Sequence, residues 1–322
     1  MSTATAIAHP NIALVKYWGK RDSALNLPAT GSLSMTLDIF PTTTTVSLDE
    51  GASGDVLVFN GEQRVDGPAE RVTRFLDIVR EMAGSTLSAR VETVNTVPSA
   101  AGLASSASGF AALAVAASAA YGLDLDTRSL SRLARRGSGS ASRSVIPGFA
   151  IWHAGDSDET SFAEPVAAPD LAMVVAMVEK REKPVSSREA MRRTVLTSPF
   201  YPAWVSSTAE SLEAAAEACR DGDVERLGRI TEVNALRMHA LIQSCDPPIR
   251  YLSPVSVEIF DRTSALRESG VEAWATADAG PNVVILTRPA SVGAVTAALD
   301  GLAELAVAHP GPAAGLVSRA GE

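Results

Sequence analysis

Small and polar residues crowd residues 96–109, TVPSAAGLASSASG, directly before the alanine-rich run FAALAVAASAA. Glycine lets a backbone approach a ligand closely, and serine supplies hydroxyls without bulk. A helix that begins here would present unpaired N–H groups and a partial positive charge at its first turn. The stretch therefore predicts an anion site, above all for phosphate, at a helix N-terminus. On this segment alone, a serine-capped buried helix with a flexible entry explains the pattern equally well.

Two further segments place cationic side chains among small or apolar residues. GSGSASRS (137–144) surrounds the guanidinium of Arg143 with two glycines and four serines. A flexible polar loop of this kind suits bidentate recognition of a carboxylate or phosphate, although alone it would pass for a solvated surface loop. AHPNIALVKYWGKRD (8–22) holds Lys16, Tyr17 and Lys20 near the first strand. Taken singly, these lysines could be surface residues whose stems lie over a core.

Two more segments hold candidates for anion binding and for proton transfer. In EKREKPVSSREAM (179–191) a helix opens with Ser186, Ser187 and Arg188, which predicts a second anion pocket. In TADAGPNV (276–283) Asp278 ends a strand before an Ala-Gly-Pro-Asn turn. An aspartate there is often only a turn former, but it could equally be a carboxylate directed into a cleft. The five segments together fit an ATP-dependent reaction on a phosphorylated carboxylic acid.

The sequence lacks the motifs that would indicate several other functions. No GxxxxGK[ST] loop and no GxGxxG motif after a strand is present, which excludes the two commonest phosphate-binding motifs. The net charge of −9, without a Lys/Arg-rich block, argues against a nucleic-acid surface. The four histidines and two cysteines lack metal or redox spacing, so no metal site is predicted. Without a membrane-length apolar run or a leader-like N-terminus, we expect a cytoplasmic protein that makes no membrane contact.

The elements that would position these residues fall into two halves of an α+β protein. The first half is rich in predicted strands, with a hairpin turn at Asn60-Gly61. A helix runs from about Pro68 to a stop at Gly84, and a shorter helix ends at Gly137. The buried strand LAMVVAMV (171–178) closes this half.

The second half is predicted to be mainly helical. From Ser186 onward long helices dominate, and two strands and the helix SVGAVTAALDGLAEL (291–305) follow. A chain of 322 residues with 46% hydrophobic residues can build two cores. We therefore expect domains at 1–180 and 181–322, with the active site in the cleft between them.

Four of these segments, in their chain order, resemble one known family. PSAAGLASSASG is similar to the phosphate-binding loop of the galactokinase, homoserine kinase, mevalonate kinase and phosphomevalonate kinase superfamily. NIALVKYWGKRD, GSGSASRS and TADAGPNV resemble one branch closely, the diphosphomevalonate decarboxylases, and the resemblance covers nearly the whole chain. It implies a ribosomal-protein-S5-like N-terminal domain packed on a ferredoxin-like C-terminal α/β sandwich. It also implies a homodimer.

The resemblance implies a reaction and roles for individual residues. ATP, with Mg²⁺, would phosphorylate the 3-hydroxyl of mevalonate 5-diphosphate, and loss of phosphate and CO₂ would give isopentenyl diphosphate. Asp278 would contact that hydroxyl as base, Arg143 would hold the substrate carboxylate, and Lys16 would stabilise charge beside Asp278. The residues that would bind mevalonate diphosphate are Tyr17, Lys20, Ser138, Ser140, Arg143, Ser187 and Arg188. Those that would line the ATP phosphates are Pro98, Ala101, Gly102, Ser105, Ser106 and Ser108.

Two departures and three alternatives accompany this interpretation. Ser142 stands where many relatives have cysteine, and Ala190 stands where the SS..GM pattern usually has glycine, but neither carries a role above. The chain could instead act on mevalonate 5-phosphate, or be a small-molecule kinase of the same superfamily; such relatives typically alter the aspartate, lysine or arginine kept here. A non-catalytic ligand-binding relative is the third alternative. The aspartate, lysine and arginine argue against it, because a site without catalytic function has no physical need for all of these charges.

Overall fold

The computed structural model describes residues 2–96, 105–178 and 185–317, and its fold is of the predicted α+β class. The strands up to residue 165 are β1 (Thr3–Ala8), β2 (Asn11–Val15), β3 (Lys20–Asp22), β4 (Leu27–Pro28), β5 (Ser32–Thr36), β6 (Thr42–Asp49), β7 (Val56–Phe59), β8 (Glu62–Arg64), β9 (Ser88–Asn95), β10 (Phe149–Trp152) and β11 (Ala163–Pro165). The helices in the same part are α1 (Gly67–Ala83), α2 (Ser105–Ala120), α3 (Thr127–Gly137) and α4 (Ala141–Ser144).

Helices dominate the described remainder of the chain, as expected. They are α5 (Ser187–Thr197), α6 (Tyr201–Asp221), α7 (Val224–Gln243), α8 (Pro254–Glu268) and α9 (Val292–Leu299). The strands are β12 (Ala172–Met177), β13 (Ala273–Thr276), β14 (Val283–Thr287), β15 (Glu304–Ala308) and β16 (Gly315–Leu316).

The first sheet has six strands in the order β16-β1-β6-β9-β7-β8. Every second residue of β6 is buried, because successive side chains of a strand point to opposite faces. Its buried face packs against α1 and against the alanine-rich α2. Alanine side chains let α2 lie close to the sheet, so this packing fixes where the first turn of α2 and its serines stand.

The second sheet, in the order β11-β10-β5-β2, joins the two halves of the chain. All residues of β2 and β5 are buried. Apolar side chains of this sheet share one core with β12, α6 and α7. Because β2 lies in this shared core, the residue that follows it, Lys16, stands between the two halves.

The third sheet, in the order β13-β14-β12-β15, corrects two expectations. The strand predicted to close the first half, β12, is an inner strand here, because β14 and β15 pair with both of its edges. Its alternate side chains enter cores on the two faces, one with α6 and α7 and the other with α8 and α9. The helix predicted over 291–305 ends at Leu299, and Glu304–Ala308 is the strand β15 because β12 offers it a pairing edge.

Candidate active site

The ends of β2 and β13 bring Lys16 and Asp278 into direct contact. Lys16 follows β2, Asp278 lies two residues beyond β13, and Lys16 Nζ is 2.6 Å from Asp278 Oδ1. The ammonium also donates to the carbonyl of Ala13 at 2.8 Å. Lys16 is 1% exposed, whereas the Asp278 side chain is 31% exposed. Burial lowers the pKa of Lys16, and the Asp278 carboxylate opposes that shift. The pair presents a partly accessible carboxylate that is held from behind by a buried cation.

Arg143 is a second buried cation, and its side-chain hydrogen-bond partners are neutral. Half of the segment predicted to be a flexible loop, Ala141–Ser144, is instead the buried helical turn α4, which fixes Arg143 at 2% exposure. Its Nη1 donates to Ser32 Oγ at 2.5 Å, and its Nη2 donates to Asn11 Oδ1 at 3.0 Å. Burial lowers its pKa to about 10, and Asp278 opposes that shift from nearby. Among the described residues no carboxylate pairs with Arg143. The parallel N–H donors of its guanidinium, here called its fork, therefore suit an anion that enters from solvent.

Tyr17 lines the same region with an unsatisfied hydroxyl. Its ring packs edge-on against Trp152, with the ring centroids 4.9 Å apart. A Cβ on Gly139 would lie 2.9 Å from this ring, so only glycine fits there without a shift of the ring. The Tyr17 hydroxyl is buried without a hydrogen-bond partner among the described residues, and burial raises its pKa. An orphaned buried hydroxyl commonly marks the place of a missing ligand or water.

A cavity of about 760 Å³ is strongly basic, and Arg188 in its lining lies near enough to Tyr17 to affect the pKa of that hydroxyl. Its cationic lining consists of Lys20, Arg71, Arg74, Arg136, Arg188 and Arg192. Lys20 Nζ donates to Asn26 Oδ1 at 2.5 Å, and burial with the nearby Arg188 and Arg71 lowers its pKa to about 8. Lys20, Arg71 and Arg188 repel one another, so a polyanion such as a diphosphate would relieve that repulsion on binding.

Three of the predicted serines meet where α2 begins. Ser106 is exposed in the first turn of α2, and its Oγ lies 3.3 Å from Ser138 Oγ, which lies 3.4 Å from Ser140 Oγ. Ser108 is instead fully buried, 2.7 Å from the hydroxyl of Thr42. Ser105 is the first residue of α2, and the predicted Pro98, Ala101 and Gly102 lie outside the described residues.

The predicted second anion pocket coincides with the first turn of α5. Ser186, not Ser187, caps the helix, since its Oγ accepts a hydrogen bond from Glu189 N at 3.2 Å. Ser187 is half-buried at the first helical position. Arg188 is exposed and lines the basic cavity. The helix start therefore contributes its charge to the same cavity as Lys20.

Sequence reasoning missed three residues of this site. Arg71 lies on α1 and lines the cavity, and burial with Arg188 lowers its pKa to about 10. Nothing local distinguishes it from a helix-surface arginine. Asn11 and Ser32 hold the fork of Arg143 from two strands that only the folded sheet makes neighbours.

The described parts of the chain contain neither a side-chain metal site nor a helix that could span a membrane. No three His, Cys, Asp or Glu side chains come together there in a group that could hold a metal ion. No helix in those parts of the chain is long and apolar enough to cross a membrane.

Comparisons with known proteins cover both halves of the chain. A family model described as "Diphosphomevalonate decarboxylase-like N-terminal domain" matches residues 8–163, and one described as "Mevalonate 5-diphosphate decarboxylase C-terminal domain" matches residues 173–309. A diphosphomevalonate decarboxylase of Ganoderma lucidum is 37% identical over 316 residues, which cover 88% of this chain and 78% of that protein.

Two solved structures are similar over almost their full length. One is described as "Mevalonate diphosphate mediated ATP binding mechanism of the mevalonate diphosphate decarboxylase from Enterococcus faecalis"; it is 44% identical, with a TM-score of 0.93 and 99% of each chain covered. The other, "MDDEF in complex with MVAPP, AMPPCP and Magnesium", is 45% identical, with a TM-score of 0.94 and 99% of each chain covered.

Proposed function

This chain belongs to the diphosphomevalonate decarboxylase family, and we infer that it converts mevalonate 5-diphosphate and ATP to isopentenyl diphosphate, ADP, phosphate and CO₂. One observation carries this inference within the site. The Lys16–Asp278 pair stands beside a buried guanidinium, Arg143, that lacks a carboxylate partner among the described residues. A substrate whose carboxylate is attached to the carbon next to the one that bears the hydroxyl suits that arrangement.

The proposed binding mode distributes the substrate over the three parts of the site. The diphosphate occupies the basic cavity, on Lys20, Arg188 and Arg71. The carboxylate lies on the fork of Arg143, and the 3-hydroxyl lies on Asp278. Hydroxyl groups complete the binding of the substrate, and they belong to Tyr17, Ser138, Ser140 and Ser187.

The proposed reaction has two stages, and Asp278 acts in both. First, the 3-hydroxyl oxygen bonds to the γ-phosphorus of ATP as the bond to ADP breaks, and the hydroxyl proton passes to Asp278. The Asp278 side chain is partly exposed, and it returns this proton to solvent before the second stage, so that it is again a carboxylate. Then the bond from C3 to the phosphate oxygen breaks, and the bond from the neighbouring C2 to the carboxylate carbon breaks as CO₂ leaves. The electron pair of that second bond becomes the new carbon–carbon double bond, so no oxidant or reductant is needed. A carboxylate beside C3 stabilises the positive charge that develops there, and Lys16 holds that carboxylate in place.

ATP is proposed to bind where α2 begins. The N-terminus of α2 carries a partial positive charge and unpaired N–H groups, which suit the phosphates. Ser105, Ser106 and the preceding Pro98, Ala101 and Gly102 complete the proposed phosphate loop, whereas Ser108 is buried against Thr42 and would support the helix start from within the core. Phosphate oxygens would supply most ligands of Mg²⁺, with the Ser106 hydroxyl as a suitable protein ligand, and the bound ion would neutralise charge on the phosphates.

The inference is tested by ATP-dependent CO₂ release with mevalonate, its 5-phosphate and its 5-diphosphate side by side. We expect CO₂ and ADP in equal amounts from the 5-diphosphate. ADP without CO₂ would identify a kinase, and CO₂ mainly from the 5-phosphate would identify the related decarboxylase. ATP binding without turnover of any of the three would identify a non-catalytic relative.

We also propose that the protein works as a cytoplasmic homodimer of two-domain subunits, with ATP held by the N-terminal domain. The family resemblance supports the dimer, and two unpaired, buried cysteines, Cys219 and Cys245, suit a reducing compartment. Sedimentation of the purified protein measures the oligomeric state directly.

Replacement of Ser106 by alanine should weaken the use of ATP while the fold survives. A hydrogen bond from a hydroxyl to a charged phosphate contributes about 1.5–3 kcal/mol. We therefore expect kcat/KM for ATP to fall roughly 10- to 100-fold. Ser118 on the same helix is buried, and its hydroxyl lacks a partner among the described residues, so Ser118→Ala is the matched control. Wild-type kinetics in Ser106→Ala would show that Ser106 serves only the helix start.

Substrate binding should weaken as pH rises through about 8, where Lys20 titrates in the free protein. Burial and the neighbouring arginines depress the pKa of Lys20, so the ammonium is present below about pH 8 and is lost above it. Calorimetric titration with mevalonate 5-diphosphate at pH values on both sides of this point measures the effect. Lys20→Arg should keep its charge and remove this step from the profile. An affinity of the wild type that is flat across this range would contradict the assignment of Lys20 to the diphosphate.

A further inference from the structure

Helix α7 contacts the backbone beside Lys16. Asn234, on α7, is 1% exposed, and its Oδ1 accepts a hydrogen bond from the backbone N–H of Lys16 at 2.7 Å. The two residues are 218 positions apart in the chain. This bond fixes the point at which β2 ends and the Lys16 side chain departs.

The same helix contacts the backbone beside Asp278. His239 is 2% exposed, and its Nε2 lies 3.3 Å from the carbonyl oxygen of Ala277, the residue before Asp278. A carbonyl can only accept, so this ring nitrogen carries the proton and donates. Burial and the nearby Lys16 lower the pKa of His239 to about 4, so the imidazole is neutral at physiological pH. A neutral donor holds this turn without adding a third positive charge beside Lys16 and Arg143.

Helix α7 is itself fixed against β13. A Cβ on Gly228 would lie 2.0 Å from the ring of Trp274, so the helix approaches the strand more closely than an alanine would allow. Glu232 accepts a hydrogen bond from Ala275 N at 2.8 Å and pairs with Arg267 at 2.7 Å. With these anchors the helix resists sliding along the strand that leads to Asp278.

We propose that Asn234 and His239 are positioning residues, through which α7 sets the separation and orientation of Lys16 and Asp278. This proposal rests on the proposed function, in which that pair carries the chemistry. Neither residue touches substrate in this proposal; each acts through the backbone of a neighbour. Catalysis depends on such geometry, since a misplacement of about 1 Å can lower a rate about 10²-fold.

Simple core packing does not account for these two side chains. A buried polar group destabilises the fold unless it is hydrogen-bonded, and an apolar residue could fill either position. Both side chains instead form bonds to the backbone next to a catalytic charge. Thr231, on the same helix, supplies the contrast, because its buried hydroxyl has no partner among the described residues.

The first test compares Asn234→Leu and His239→Leu with the matched control Thr231→Val. We expect kcat to fall about 10²-fold in each leucine variant, with KM for both substrates changed much less, because binding groups stay in place. His239→Gln keeps an N–H donor near the position of Nε2 and should recover much of the rate. Equal loss in the control, or no recovery with glutamine, would overturn the proposal in favour of general packing.

The pH dependence of kcat distinguishes a positioning role from a general packing defect, because a packing defect would not shift the alkaline limb of the profile. The charged and titratable groups that face Lys16 are Asp278, Arg143 and His239. Asp278 raises the pKa of Lys16 against the effect of burial, so a weakened pair lowers that pKa further. The alkaline limb of the profile should therefore shift to lower pH in both leucine variants. His239 is already neutral at alkaline pH, so its removal changes no charge there, and an unshifted limb would count against the proposal.

Amide hydrogen exchange tests the positioning role without any turnover. Asn234→Leu should speed exchange in the peptide around Lys16, and His239→Leu should speed it in the peptide around Asp278. Thr231→Val should change neither. If the wild type released no CO₂, the proposed function would fall, while this exchange pattern would still decide whether α7 holds the two segments. Unchanged exchange in both leucine variants would overturn the positioning role itself.

Discussion

Asp278→Asn should lower kcat by roughly 10² to 10⁴-fold, the contribution of a positioned general base. Asparagine keeps the shape of the side chain and part of its hydrogen bonding with Lys16, whose ammonium lies 2.6 Å from Asp278 Oδ1. It can neither accept the hydroxyl proton nor offset positive charge at C3. Substrate affinity should change much less, because the groups proposed to bind the diphosphate and the carboxylate are other residues. ADP formation and CO₂ release should fall together, since phosphorylation precedes loss of the carboxylate.

Parallel measurement of the two products separates the roles of Asp278. Accumulation of ADP and a 3-phosphorylated acid, with CO₂ release stopped, would confine Asp278 to the second stage. Undiminished CO₂ release would remove it from the mechanism. Asp158→Asn is the matched control: its carboxylate is 25% exposed and pairs with Arg132 and Arg135 instead of Lys16. That control should lose stability with little change in kcat.

Local signals in the sequence predicted the structure correctly at positions where a single residue determines the backbone conformation. Gly84 ends α1 with a φ of 60°, a left-handed conformation that glycine adopts without strain. The Asn60-Gly61 turn has φ values of 50° and 84°, as a hairpin of β7 and β8 requires. Both predictions were confirmed because no distant contact has to choose between alternatives at these positions.

Pairing between strands that are distant in the chain determined the structure of the segments that were assigned wrongly from the sequence. The segment ELAVA (304–308) has the alanine and leucine content of a helix end, yet it pairs with β12 along its whole length. The strand β12 itself reads as buried from its composition, but composition does not say which sheet will bury it. Pairing partners far along the chain carry that information.

The residues of the candidate site also fall into two groups: those that local sequence motifs identify, and those that only tertiary packing brings to the site. Motifs identified Lys16, Arg143 and Asp278, because small residues, charges and a turn crowd around each of them in the sequence. They could not identify Arg71 or Asn234, since each is a single polar residue on an amphipathic helix. Such residues join the site only when α1 and α7 pack, and the signal that finds them is burial together with a partner from another element.

Arg143→Lys should lower kcat/KM for mevalonate 5-diphosphate roughly 10- to 100-fold, as loss of a charge-assisted hydrogen bond predicts. The guanidinium is planar and donates from all three of its nitrogens, Nη1 to Ser32 Oγ at 2.5 Å, and Nη2 and Nε to Asn11 Oδ1 at 3.0 Å and 3.2 Å. These neutral partners hold the guanidinium in one orientation and leave one N–H group on each Nη atom to donate to a carboxylate. A lysine keeps the charge but offers one point instead of a fork, so it cannot satisfy both strands and the substrate at once.

The contribution of the fork can be separated from that of charge and of burial. ATP binding should be unchanged in Arg143→Lys, because the phosphate loop is a different part of the site. Arg135→Lys is the matched control: Arg135 is also fully buried, but its partner is Asp158, so its loss should affect stability and leave kcat/KM near the wild-type value. Near-normal turnover in Arg143→Lys would mean that a positive charge alone suffices at this position. The carboxylate would then have to be held by another group, and Lys16, the other buried cation next to Asp278, would have to take that role.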